Sequence, residues 1–272
     1  MSKTGLSESN YPPLPLIKKI LDVRDGKNKT FIFVEGRRLI EELIKSNIHP
    51  TDGVVVRSQF KIFEKLIRQS ANPAGRIYTA DEKLMSRISA HDTPPGLLCL
   101  AKRPPTVQTD WKNPLNYPLI LLMHRIQNPQ NVGALVRTAE AAGVTEVWTS
   151  PQTCDPFSSK ALRGSMGGAF RIPIRPQEDL SESLKLMTDQ GLSIYAAMKD
   201  GKNRFDMVDF KKPSVIILGN EGQGMPEEEI KYKAITVKIP MKAGVESLNV
   251  GVAGALLLYE ALRQRGGFSE SS

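Results

Sequence analysis

The chain has 272 residues but few of the groups that staple or metallate a protein. Its two cysteines, Cys99 and Cys154, lie far apart and form no Cys-x-x-Cys pattern, and nothing in their spacing motivates a disulfide. With His49, His91 and His124 as the only histidines, a structural zinc site has almost no support, and no metal is expected. The longest apolar stretches are short, which argues against a membrane span. Met1 to Pro15 is polar and carries prolines, with no apolar run of signal-peptide type, so a cytoplasmic protein is expected. No internal repeat or low-complexity tract is visible. At 40% hydrophobic and 24% charged residues, wholesale disorder is excluded as well, and a chain of this length can bury a core without covalent help.

What is present is an excess of positive charge, with a formal net charge of +8. It is uneven. Residues 1–110 carry 18 basic and 12 acidic side chains, a net +6, against 19 and 17, a net +2, over residues 111–272. A basic surface suits a polyanionic partner, although charge alone fits a mildly basic soluble protein equally well.

Apolar spacing predicts alternating helices and strands in two blocks. In the first block the helices are 16–25, 38–46 and 62–69, and the strands are 30–34, 53–56, 76–78 and 97–101. In the second the strands are 119–123, 146–149, 172–174, 193–197, 215–219 and 235–239, and the helices are 132–142, 158–166, 180–190 and 248–263. Between the blocks, Pro104, Pro105 and Pro114 interrupt any periodicity. The expected organisation is a flexible lead over 1–15, a small α/β domain over 16–101, a linker over 102–117 and a larger α/β domain over 118–272.

Three segments of the second block carry chemistry. The first, Asn128 to Gly143, leaves a strand and opens a helix. Asn131 reads there as an N-cap, and Gly133 and Ala134 permit close backbone approach. Arg137 lies a turn and a half further on; alone it would read as a surface arginine. The second, Ile217 to Pro226, runs a buried strand into Gly219, Gly222 and Gly224. It matches neither Gly-x-Gly-x-x-Gly nor a phosphate loop, so a dinucleotide or nucleotide fingerprint is disfavoured. Glu221 within it has no evident structural purpose. The third, Ile239 to Ala255, contains Ser247, which reads as an N-cap, and a stretch of small residues from Val250. Singly, each segment is explained by capping and packing.

Taken together, and with Lys160 to Gly167 between the first two, the segments resemble motifs 1, 2 and 3 of the SpoU (TrmH) family of RNA ribose 2'-O-methyltransferases in the SPOUT superfamily. The resemblance covers about residues 118–264. Phe33-Val34-Glu35-Gly36 and Thr93-Pro94-Pro95-Gly96 also look like parts of the substrate-binding domain that often precedes the catalytic one.

The resemblance implies a mostly parallel α/β fold with a deep trefoil knot, S-adenosyl-L-methionine as cofactor, and a homodimer. It implies cofactor contacts from Leu218, Gly219, Glu221 and Gly222 on one wall and Ile239, Met241, Leu248 and Ala253 on the other, completed by residues near Ala196 to Met198. It places Arg137, Asn131, Glu221, Ser247 and Asn249 in the catalytic centre. A guanidinium is a poor base, so Arg137 is expected to hold a phosphate and stabilise a developing alkoxide. Gly251 stands where the family commonly has serine. The implied substrate is RNA, ribosomal RNA ahead of transfer RNA because of the separate N-terminal domain. A catalytically silent RNA-binding or ribosome-assembly protein of the same fold is the alternative.

Overall fold

The computed structural model describes residues 11–68, 75–106, 117–176, 178–220, 224–230 and 234–267. Most of the proposed linker, and Glu221 and Gly222, lie outside the described residues. The chain divides into two compact units. The first comprises residues 1–105 with 157–170, and the second residues 106–156 with 171–272.

The first unit contains α1 (Leu14–Arg24), β1 (Phe31–Glu35), α2 (Arg37–Lys45), β2 (Pro50–Val56), α3 (Phe60–Arg68), β3 (Arg76–Ala80), α4 (Glu82–Ile88) and β4 (Leu97–Lys102). Its four strands run in the order β1-β4-β2-β3, antiparallel except for the β2/β3 pair. The helical lead starts earlier than expected. Pro13 caps α1 and Pro15 sits in its first turn, where a missing N–H costs nothing. The helix α4 was not expected at all, although Asp81 caps it by accepting from the Leu84 N–H at 2.7 Å. Ile20, Phe33, Val54, Met85 and Leu98 are buried in one core.

The second unit contains β5 (Leu119–Met123), α5 (Pro129–Ala141), β6 (Glu146–Thr149), β7 (Ile174–Arg175), α7 (Leu180–Asp189), β8 (Ser193–Ala197), β9 (Asn203–Arg204), β10 (Ser214–Leu218), α8 (Glu227–Ile230), β11 (Ile235–Lys238) and α9 (Val250–Gln264). The intervening α6 (Ser159–Ser165) clusters with the first unit. The sheet order is β7-β6-β5-β10-β8-β11-β9, and every pairing is parallel. The central strands β5 (LILLM) and β10 (SVIIL) are buried at every residue, as expected for a parallel sheet covered on both faces.

The order also fixes where a ligand belongs. From β5 the chain moves outward to β6 and β7, whereas β8, β11 and β9 lie beyond β10 on the opposite side. Such a reversal opens a crevice at the carboxyl ends of the strands. β5 and β10 end level with each other, Met123 opposite Leu218. Across that end lies α9, docked on α5 at Gly254. A Cβ there would run into the Leu135 side chain and come within 2.8 Å of Leu218 Cδ1, so only glycine lets the helices approach this closely.

Candidate active site

At the carboxyl edge of the second sheet lies a cavity of about 660 Å³. Leu218 and Gly219 reach it from the end of β10, Ala197 and Met198 from the end of β8, and Val237 and Ile239 from β11 and its exit. Met241, Ser247, Leu248, Val250 and Ala253 close the other side. Six of the eight residues expected around a cofactor therefore share one cavity; the other two, Glu221 and Gly222, are not among the described residues. Ala197 and Met198 line it too, whereas Ala196 is fully buried in the sheet core.

Glycine is required at one wall. A Cβ on Gly219 would sit 2.9 Å from the Gly224 backbone, where the Asn220 carbonyl accepts from the Gly224 N–H at 3.0 Å and folds the loop on itself. Sequence reasoning missed Asn220, Gly224 and Met225 as lining residues, though they lie within the segment it singled out. It also missed Glu246, within the third segment, and Lys199 and Asp200, which no motif marks.

The expected catalytic residues come from α5 and the start of α9. Two capping assignments need correction. The N-cap of α5 is Asn128, which accepts from the Gln130 N–H at 2.9 Å, with Pro129 as the first helical residue. The N-cap of α9 is Asn249, which accepts from the Gly251 and Val252 N–H groups. Proline at the first helical position moved the start of α5 forward. Asn131 is thereby left inside the first turn, and its Oδ1 accepts from Asn249 Nδ2 at 3.2 Å. Ser247 lines the cavity instead of capping. Arg137 is exposed on α5. Gly251 faces this junction: a Cβ there would lie 3.1 Å from Asn249 Oδ1 and 3.9 Å from Asn131 Oδ1.

Beside the cavity, the corner after β5 is heavily tied. The His124 N–H donates to the Leu218 carbonyl at 2.8 Å. Its ring is buried, with Nε2 2.9 Å from Glu229 Oε2. Neither ring nitrogen makes a well-angled hydrogen bond among the described residues, so the contact is chiefly electrostatic. Burial pushes the imidazole pKa down; the Glu229 carboxylate pulls it partly back, and Arg125 adds to the lowering. Glu229 Oε1 also pairs with Arg125 Nη1 at 3.0 Å.

Fold and cavity together define an α/β protein with an open cavity at the carboxyl edge of a parallel sheet and polar side chains converging beside it. More narrowly, the chain belongs to the SpoU rRNA methylase family, whose model matches residues 118–259. The 23S rRNA guanosine 2'-O-methyltransferase RlmP of Bacillus subtilis is 28% identical, over 89% of this chain and 92% of its own. A tRNA guanosine 2'-O-methyltransferase of Thermus thermophilus is 34% identical, over 54% of this chain and 75% of its own. Among solved structures, the S-adenosylmethionine-bound rRNA methyltransferase of Sinorhizobium meliloti shares the fold, with a TM-score of 0.79 at 24% identity, over 94% of this chain and 97% of that one.

Proposed function

We propose that this protein is an S-adenosylmethionine-dependent methyltransferase that modifies a ribose 2'-hydroxyl of ribosomal RNA, acting as a cytoplasmic homodimer. The observation that carries the reading is convergence. Segments near residues 218, 239 and 248 wall one cavity, and Asn249 beside it bonds Asn131 of the first motif. A cavity of about 660 Å³ suits a cofactor of this size, since such sites run from ~300 to 1,000 Å³. Leu218, Met225, Ile239 and Leu248 offer an apolar slot for a purine, and the backbone of Gly219, Ile239 and Leu248 offers polar partners for its edge and ribose. Glu221 and Gly222 belong to the same wall in this proposal.

When bound, S-adenosylmethionine supplies a methyl group made electrophilic by a positively charged sulfur. Arg137 remains protonated, because a guanidinium holds its proton far above neutral pH. It therefore anchors the phosphate beside the target ribose and stabilises the oxygen as its proton leaves to water. Asn131, Ser247 and Asn249 orient that ribose towards the cavity.

The preference for ribosomal RNA is supported by the RlmP alignment, which spans nearly the whole chain and so includes the first unit; the tRNA relative, like other 23S rRNA relatives, matches about half. Residues 16–101, within the net +6 part, are the RNA-docking domain of this proposal. The homodimer is supported by Val252, Leu256 and Tyr259, large exposed residues on successive turns of α9. The trefoil knot enters this proposal with the family fold. A map of ribose methylation in a strain lacking the gene tests the substrate. One 2'-O-methyl mark should vanish from ribosomal RNA; intact ribosomal RNA with a lost transfer-RNA mark would overturn the choice.

A further inference from the structure

The second unit contains a charged bridge that the motifs do not include. Arg125 follows β5 and precedes the first motif, and Glu229 lies on α8, beyond the second. Their side chains meet at 3.0 Å, and the other Glu229 oxygen rests 2.9 Å from the buried His124 ring. The Arg125 backbone is held just as firmly. Its N–H donates to Ser150 Oγ at 3.2 Å, and its carbonyl accepts from Asn220 Nδ2 at 2.9 Å. Asn220 in turn lines the cavity.

Arg125 takes up a left-handed conformation, with φ at +54°. A non-glycine residue adopts it at a cost, and only where its surroundings over-determine it. Here the surroundings are a side-chain ion pair, a hydroxyl acceptor and an amide donor on one residue. The corner is also the point from which α5 departs, and α5 carries Asn131 and Arg137. A mechanical path thus runs from the cavity wall at Asn220, through Arg125, to the helix bearing the expected catalytic side chains.

We propose that Arg125 and Glu229 are positioning residues that couple occupancy of the cofactor cavity to alignment of α5. Glu229 holds the Arg125 side chain, which keeps the Arg125 carbonyl turned towards Asn220. A cofactor packed against Asn220 then fixes the corner, and with it the first motif. Neither residue touches the reacting atoms. The inference rests on the methyltransferase reading above.

The experiment compares the full-length protein with Glu229→Gln, Arg125→Gln, the double variant and Arg125→Lys. S-adenosylmethionine affinity is measured by calorimetry without RNA, turnover with ribosomal RNA, and thermal midpoint alongside. Each Gln variant should lose about tenfold in cofactor affinity and in kcat while keeping its midpoint and its affinity for RNA. The double variant should lose no more than either single one, because one bridge is removed once. Arg125→Lys, which keeps the charge, should recover most of the loss and guards against misfolding of the Gln variants. Wild-type affinity and kcat in the single variants would overturn the proposal. So would losses that multiply in the double variant, losses that follow the midpoint alone, or a lysine variant no better than the glutamine one. Failure of the wild-type protein to bind S-adenosylmethionine would instead sink the methyltransferase reading, and this inference with it.

Discussion

Both units bury ionisable groups at the end of a strand, but they treat them differently. In the first unit Glu35 closes β1, and its carboxylate is saturated: it accepts from Ser89 Oγ at 2.6 Å and from the Ala90 N–H at 2.9 Å, with His91 Nε2 3.8 Å away. Arg163 of α6 donates in turn to His91 Nδ1 at 2.9 Å. The result is a locked loop ahead of Thr93 to Gly96. In the second unit His124 follows β5 with an imidazole ring that makes no well-formed hydrogen bond among the described residues, against a partly exposed Glu229. Sheet topology accounts for the contrast. In the mixed sheet, antiparallel β4 returns beside β1, and the Gly36 N–H donates to the Leu97 carbonyl at 3.0 Å, closing that end with backbone. In the parallel sheet every strand leaves by the same edge, and the exits are left to line a cavity.

The sharpest way to break this division is Arg137→Ala. Methyl transfer should fall by about 100- to 1,000-fold, as when one stabilising donor is lost. S-adenosylmethionine affinity by calorimetry should stay at the wild-type value; near-normal turnover would remove Arg137 from the chemistry. Raised salt separates the units next. Between low and physiological salt, RNA affinity measured by filter binding should drop at least about tenfold, and cofactor affinity should barely change. Equal sensitivity would mean that the +6 part is not the docking surface.

The Glu35→Ala variant takes the acceptor from the buried Ser89 hydroxyl and the half-buried Ala90 N–H and should cost the first unit about 2 kcal/mol. Segment-resolved hydrogen exchange should show β1 to β4 opening more easily while β5 and β10 are unchanged. Acid should do the reverse. His124 has a folded pKa below its ordinary value, so the unfolded chain takes up a proton that the folded chain refuses. The second unit should therefore lose stability as pH falls through about 6.5, by up to about 1.4 kcal/mol per pH unit, and show no such slope well above it. The slope should vanish in His124→Gln under urea unfolding. The smallest effect belongs to Gly251→Ser. The added Cβ, 3.1 Å from Asn249 Oδ1, asks for a shift of a few tenths of an ångström. It should cost less than about 1 kcal/mol and change turnover less than threefold; a tenfold loss would show that the Asn249 cap cannot yield.

Much of this was legible in the chain. The apolar runs 119–123 and 215–218 announce themselves as buried strands, since only a doubly covered parallel strand or a buried helix tolerates them. The glycines near 219 and the small residues after Val250 signalled close approach, and Gly219 and Gly254 meet other atoms there. Errors fell at helix starts, because Asn128 and Asn131 are equally good caps in isolation and Pro129 decides between them. Lys199 and Asp200 carried no signal, since a residue joins a cavity wall through the strand order and not through its own neighbours in sequence.

Local chemistry thus set the elements, their periods and the family, because each depends on residues within a few positions of one another. Which strand ends lie side by side, which asparagine caps and which one bonds across to the other helix, and where His124, Arg125 and Glu229 meet were all settled by folding. Those outcomes join residues about a hundred positions apart, and the backbone pairing that brings them together takes no account of which side chains it carries.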